Sequence, residues 1–80
     1  MDIERLKTLA ISDSGFIFDP SSGHSFTTNA TGIFILTLLK QKTDLMDIPE
    51  KLIEEYEISA DDAERDVSEF VDALKKLTLV

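Results

Sequence analysis

Polar and apolar residues alternate with a period of two in the first third of the chain. Leu6–Ser12 alternates loosely, with Leu9 and Ile11 on one face, and Gly15–Asp19 is a short aromatic and β-branched run. His24–Thr28 is a third segment of this kind, with alternate side chains on one face. The pattern predicts three consecutive strands.

Two turns rich in small residues separate these strands. Asp13–Gly15 ends in a glycine that tolerates a positive φ, which suits a hairpin with a bulge. In Asp19–Gly23, Pro20 presets φ, Asp19 can bond the turn backbone, and Gly23 can adopt the left-handed conformation. Such short connections predict an antiparallel meander.

The segment Ala30–Lys42 is apolar on almost every side, and Asn29 before it is a suitable N-cap. A strand is the alternative, because Ile33–Ile35 has high β propensity, but the cap and the length favour a buried helix. Gly32 lies in the first turn of this helix, where glycine is unfavourable relative to alanine. It either allows another backbone to approach closely or is simply tolerated, and the sequence leaves both explanations open.

A second helix is predicted to begin at Asp47, with Glu50 completing a capping box and Pro49 in the first turn. Its apolar face comprises Ile48, Leu52, Ile53 and Tyr56. A third helix is predicted to begin after Ser59 as its cap. Its apolar stripe comprises Ala60, Ala63, Val67, Phe70, Val71, Leu74 and Leu77, and Leu77–Val80 is predicted to end as a short extended tail. The predicted fold is α+β: a three-stranded antiparallel β-meander followed by a three-helix bundle, a winged-helix-like plan in one domain spanning residues 1–80.

Charge limits the class of partner. The chain has 80 residues and a net charge of −8, and the segment Glu57–Asp72 carries seven acids against Arg65 as its one base. Such a surface repels a phosphate backbone, so the prediction is no nucleic-acid partner in spite of the winged-helix-like order. The start of the chain is too polar for a signal peptide and the longest apolar run, Ile33–Leu39, is too short to span a membrane. We therefore expect a cytoplasmic protein with no membrane partner.

The sequence offers little catalytic chemistry. His24 is the only histidine and there is no cysteine, so a metal site is poorly supported. Ser22, His24 and Asp19 share one tight turn, which turn chemistry explains better than a catalytic triad does. The acid pairs Asp61–Asp62 and Glu54–Glu55 suit solvated helix faces. We predict a protein that is not an enzyme and that needs neither a cofactor nor a metal.

Binding is the remaining class of function. A three-stranded meander has two edges with unpaired backbone groups, and an extended peptide can add to such an edge as a further strand. The third strand is polar and free of proline, and the third predicted helix could form the wall of a groove beside it. The sequence thus favours peptide binding.

Four motifs in order resemble the PqqD-like family of peptide-recognition domains. They are "FDPSSG", "TTNATGIFIL", "IPEKLIEEYEIS" and "ERDVSEFVDALKKL", the last with Asp66, Val67, Phe70 and Leu74 at the family's spacing. The resemblance runs from Leu9 to Leu79. It implies a three-stranded sheet followed by three helices, and a non-catalytic peptide chaperone that binds the leader of a ribosomally made precursor peptide and presents it to a modifying enzyme. In many members that enzyme is a radical S-adenosylmethionine (SAM) protein.

On this basis we expect the peptide to lie between the third strand and the third helix. The expected pairing groups are the backbones of Ser25, Phe26, Thr27 and Thr28, the expected apolar wall is Val67, Phe70, Val71 and Leu74, and Asp66, Glu69 and Asp72 are expected to favour Lys or Arg in the peptide. The family's usual glycine near the end of its third helix is replaced by Leu77-Thr78, and the "DPSSG" turn also differs from the family's pattern. These departures indicate a peptide-modification pathway other than that of pyrroloquinoline quinone. The alternative is a winged-helix-like protein–protein interaction or dimerisation module, and the oligomeric state is expected to be a monomer or a weak homodimer.

Overall fold

Three antiparallel strands follow one short helical turn at the start of the fold. The structure, a computed structural model, describes residues 3–76. Its first elements are α1 (Ile3–Leu6), β1 (Ala10–Ile11), β2 (Phe16–Asp19) and β3 (His24–Thr27). The strands form one sheet in the order β1-β2-β3, in which both neighbouring pairs are antiparallel. The predicted meander is confirmed.

The first strand is shorter than the predicted Leu6–Ser12. Leu6 ends α1 instead, and a turn follows it in which the Leu9 N–H donates to the Leu6 carbonyl at 3.2 Å. Both side chains are buried. Residues three apart lie on the same side of a helical turn, whereas a strand would place them on opposite faces, so the turn lets both leucines reach the core.

The two predicted turns form as expected. Gly15 and Gly23 adopt positive φ values of 96° and 78°. The Asp19 carboxylate is buried and accepts hydrogen bonds from the backbone N–H of Ser21 at 3.0 Å and from the Ser21 and Ser22 hydroxyls. This carboxylate therefore closes the β2–β3 turn from inside.

Three longer helices complete the fold: α2 (Ala30–Lys40), α3 (Ile48–Tyr56) and α4 (Ala60–Lys76). The Asn29 side chain caps α2 by accepting from the Gly32 N–H at 2.8 Å, and the helix rather than the alternative strand is confirmed. This helix ends at Lys40, before the predicted Lys42, because Lys42 adopts a left-handed conformation at φ 64°.

The predicted cap of the next helix is wrong. Asp47 is already helical and makes no capping bond with its side chain. A 3₁₀ turn, Leu45–Asp47, precedes α3, and Asp44 caps that turn by accepting from the Met46 N–H at 3.0 Å. A capping residue needs an extended backbone, which Asp44 has and Asp47 lacks. Ser59 caps α4 as predicted, accepting from the Asp62 N–H at 3.1 Å.

One hydrophobic core lies between the sheet and the helices. It comprises Leu6, Leu9, Ile17, Ile35, Leu36, Leu38, Leu39, Ile48, Leu52, Ala63, Val67, Val71 and Leu74. The predicted stripe of α4 is mostly confirmed: Phe70 is half-buried and Ala60 is exposed, while Leu77 and the predicted tail Leu77–Val80 lie outside the described residues. None of the helices within residues 3–76 is long and apolar enough to cross a bilayer.

Candidate functional site

The outer edge of β3 offers unpaired backbone groups. β3 pairs with β2 on one side, and no other element described in residues 3–76 packs extensively against it. The Thr28 N–H donates to the Gly15 carbonyl at 2.8 Å, and Phe26 pairs with Ile17 two residues earlier. Because the bonding direction alternates along an antiparallel strand, the N–H and C=O groups of Ser25 and Thr27 point away from β2.

This edge lies in an uncharged part of an otherwise charged chain. Residues 20–39 contain no Asp, Glu, Lys or Arg, although charged residues make up 30% of the whole sequence. Exposed edge strands are usually protected from pairing by charged side chains or proline. β3 has neither, so its sequence leaves the edge open to an added strand.

A groove of about 240 Å³ lies beside this edge, between the start of α2 and the middle of α4. It is lined by Thr28, Asn29, Thr31, Gly32, Ile35, Asp66, Glu69 and Phe70. The half-buried Phe70 ring contributes aromatic surface, and the hydroxyls and amide of the strand-to-helix junction supply polar groups. We call this the β3 groove.

Gly32 determines how closely α2 approaches α4 in this groove. A Cβ at this position would overlap the Thr28 Oγ1 atom and would lie 2.9 Å from the Phe70 Cε1 atom. The glycine therefore accommodates a close approach of the Thr28 and Phe70 side chains, whereas the sequence analysis considered the approach of another backbone. Any larger residue must displace Thr28 or Phe70.

Two carboxylates give the β3 groove its charge. Asp66 and Glu69 line it, and neither makes an ion pair with any residue in the described range 3–76. One turn earlier, Asp62 is neutralised by Arg65, with Oδ1 and Nη2 2.6 Å apart. The groove thus presents negative charge that no base of the described chain compensates.

Several of the other residues expected at the site direct their side chains to the core or their backbone groups to β2. Val67, Val71 and Leu74 are 5%, 7% and 1% exposed, so these side chains pack in the core and leave Phe70 as the exposed part of the expected apolar wall. Phe26 and Thr28 are half-buried, with backbone groups directed to β2. The structure therefore brings six of the expected residues to the edge and the groove: Ser25, Thr27, Thr28, Asp66, Glu69 and Phe70.

Sequence reasoning missed the contribution of the strand-to-helix junction. Asn29, Thr31 and Gly32 line the β3 groove, but the sequence suggested only a cap for Asn29 and an ambiguous role for Gly32. A glycine in the first turn of an otherwise apolar helix was the available signal. Thr31 carried none, because a threonine in a first turn is ordinary.

The remaining candidate chemistry is explained by local structure. The Ser22 hydroxyl donates to Asp19 at 2.9 Å and accepts from the His24 backbone N–H at 3.3 Å. These are turn contacts, with the serine bound to the carboxylate rather than to the imidazole, so the arrangement is not that of a triad. Within residues 3–76, no group of three or more His, Asp or Glu could hold a metal ion.

Comparison with known proteins gives two matches. A family model described as coenzyme PQQ synthesis protein D (PqqD) matches residues 15–80. A solved structure, lasso peptide synthetase B1 complexed with the leader peptide, superposes with a TM-score of 0.72 at 33% sequence identity. The match covers 85% of this chain and 81% of that chain. No curated protein matches the sequence.

Proposed function

The chain belongs to the PqqD family, and we propose from this premise that it is a non-catalytic domain that binds the leader of a ribosomally made precursor peptide. The observation that carries the proposal is the open, uncharged edge of β3 beside an acidic groove. The similarity to lasso peptide synthetase B1, whose structure was solved with the leader peptide, supports the same class of ligand.

The leader would add to the sheet as a fourth strand. Ser25 and Thr27 offer two N–H and two C=O groups to it, and a net contribution of about 0.5–1.5 kcal/mol for each bond gives about 2–6 kcal/mol. Micromolar binding needs about 8 kcal/mol. Backbone pairing alone is therefore insufficient, and side chains of the leader must supply the rest.

The β3 groove is where those side chains would bind. Leader residues beside Phe26 and Thr28 face the helices, because side chains alternate between the two faces of a sheet. A side chain entering the groove meets the Phe70 ring and the carboxylates of Asp66 and Glu69. We propose that this side chain is Lys or Arg, whose apolar stem and cationic head match the ring and the acids. Each exposed ion pair adds less than about 1 kcal/mol, so charge adjusts the choice of peptide more than it drives binding.

The bound leader would then be presented to a modifying enzyme. A radical SAM protein is the recipient implied by the family resemblance, and the machinery of lasso peptide maturation is the competing recipient that the solved relative supports. We propose that this enzyme belongs to a peptide-modification pathway other than that of pyrroloquinoline quinone, because the sequence departs from the family's pattern at the positions described above.

An NMR titration with the leader of a precursor peptide encoded next to the gene of this protein tests the binding. Amide chemical shifts of Ser25, Thr27 and Phe70 are expected to change, whereas the exposed face of α3 stays unperturbed. Absence of changes along β3 at about 0.5 mM peptide would overturn the proposal.

The substitution Thr27→Pro tests the pairing itself. It removes an N–H that points away from β2, at an edge position where proline is tolerated, so the sheet should survive. We expect affinity to fall about 10- to 100-fold, because one bond is lost and the strand cannot approach closely. Thr27→Ala keeps the N–H and is the matched control. Equal affinities of the two variants would exclude strand addition.

A further inference from the structure

A second groove lies on the opposite flank of α4. It has a volume of about 320 Å³ and is lined by the apolar Leu45, Pro49, Val67 and Val71 and the polar Glu64, Ser68, Asp72 and Lys75. At about 100° per residue, the flank that carries Ser68 and Lys75 lies roughly opposite the flank that carries Asp66 and Phe70. The buried stripe of α4 separates the two grooves, so both can be occupied at once. We call the second one the α3–α4 groove.

Leu45 lines this groove, and the next residue in the chain, Met46, is also apolar and exposed. Met46 is 86% exposed and Leu45 is 37% exposed, and both belong to the 3₁₀ turn before α3. The Asp44 cap holds that turn in place, so the exposure belongs to an ordered element. Exposed, flexible thioethers are typical of surfaces that bind other proteins.

The backbone around the groove decides what kind of chain can bind there. In the 3₁₀ turn, the Met46 and Asp47 N–H groups donate to the side chain and the carbonyl of Asp44, and the Ile48 N–H donates to the Leu45 carbonyl. Pro49 has no N–H, and the other wall is the interior of α4. These bonds, the missing N–H of Pro49 and the helical backbone of α4 leave an extended strand few backbone partners here, in contrast to β3. An occupant that satisfies its own backbone groups, as a helix does, fits this groove better.

Charge narrows the choice of helix. Glu64 and Asp72 line the groove, Asp44 and Asp47 flank its exposed apolar residues, and Lys75 is the one base among the lining residues. A helix with apolar residues on one face and Lys or Arg at the margins complements this surface. A second copy of the chain does not, because it carries a net charge of −8 and the apolar faces of its α2, α3 and α4 are buried in its own core.

We propose that the α3–α4 groove docks a basic amphipathic helix of a separate partner protein. The chain then has two sites of different kind: an edge that binds an extended peptide, and a groove that binds a folded helix. The docking proposal stands on the groove alone and does not require that the β3 edge binds a leader.

Two synthetic peptides of about 18 residues, or five helical turns, test the proposal. Both carry the same apolar face with i, i+3, i+4, i+7 spacing, and one has Lys and the other Glu at the flanks. The Lys peptide is expected to shift the amides of Met46 and Ser68 in the full chain and to leave Ser25 and Thr27 unchanged. The Glu peptide should bind at least about tenfold more weakly.

Ser68→Lys places a base in the groove and should weaken binding of the Lys peptide at least about tenfold. Thr37→Lys adds the same charge on the exposed face of α2 and should have no effect. Three results would each overturn the proposal: no shifts at Met46 and Ser68 at about 1 mM, equal binding of the two peptides, or the same shifts produced by raising the protein concentration alone. The last result would identify a second copy as the occupant.

Discussion

Gly32→Ala is the substitution that most directly tests how the β3 groove is built. The added Cβ would overlap the Thr28 Oγ1 atom and lie 2.9 Å from Phe70 Cε1. Thr28 cannot move away cheaply, because its χ1 is stiff and its own Cβ lies 3.1 Å from the added atom. The substitution therefore forces the first turn of α2 away from α4 or moves the Phe70 ring.

Two opposing effects determine how Gly32→Ala changes the free energy of unfolding. Alanine is better than glycine in a helix by about 1 kcal/mol, which stabilises the variant. Overpacking costs about 1–3 kcal/mol, which destabilises it. The expected net change in the free energy of unfolding lies between zero and a loss of about 2 kcal/mol, whereas helix propensity alone would give a gain of about 1 kcal/mol.

Urea unfolding of a double-mutant cycle with Thr28→Ala separates these terms. Removing the hydroxyl first relieves the overlap, so Gly32→Ala should then be more favourable by at least about 1 kcal/mol than in the unmodified chain. A gain of about 1 kcal/mol from Gly32→Ala alone, or additivity within about 0.3 kcal/mol, would refute the close approach. Leader affinity should fall with Gly32→Ala as well, since Phe70 is displaced, and should partly recover in the double variant.

Four further substitutions test the fold by urea or thermal unfolding. Gly15→Ala should lower the free energy of unfolding by about 2–5 kcal/mol, because φ at this position is 96° and the new Cβ overlaps the Thr28 carbonyl. Gly23→Ala should lower it by only about 1–2 kcal/mol, because φ is 78° but the space around the new Cβ is open. Equal losses for the two variants would contradict this account. Lys42→Gly should stabilise the chain by about 1 kcal/mol, since it relieves a left-handed residue after α2, and a loss of stability would count against it. Leu74→Ala, at a residue 1% exposed, should cost about 2–5 kcal/mol, and a cost below about 1 kcal/mol would place this residue outside the core.

Strands, turns and helices could be predicted where local chemistry determines them. The positive φ values of Gly15 and Gly23 were predicted from their places in turns. The helix caps of Asn29 and Ser59 were predicted from residue type and position, and the structure contains both. The cap at Asp47 was wrong because the sequence "TDLMDIPE" holds two aspartates three residues apart, and either could begin the helix. Only the backbone conformation distinguishes them, and packing determines that conformation.

The site was harder to predict, because it depends on which flank of α4 faces which element. Periodicity assigned Val67, Phe70 and Leu74 to one apolar stripe and could not say which of them stays accessible. In the structure Thr28 and the start of α2 lie on the side of Phe70, while Leu45 and Pro49 lie on the side of Val71. The apolar stripe of α4 is therefore divided between the core and two grooves. The sequence pattern of one helix cannot predict this division, because it depends on how the other elements pack against that helix.

The acids beside β3 also explain how the chain can keep an edge without protective charges. Two copies that paired through β3 would bring Asp66 and Glu69 of one copy towards the same residues of the other, and like charges facing each other oppose that pairing. A leader that carries Lys or Arg would meet attraction at the same place. β3 itself is only four residues long, which limits what self-pairing can gain. The edge can therefore discriminate between a second copy and a peptide without charged residues in β3, because the neighbouring helix α4 supplies the charge.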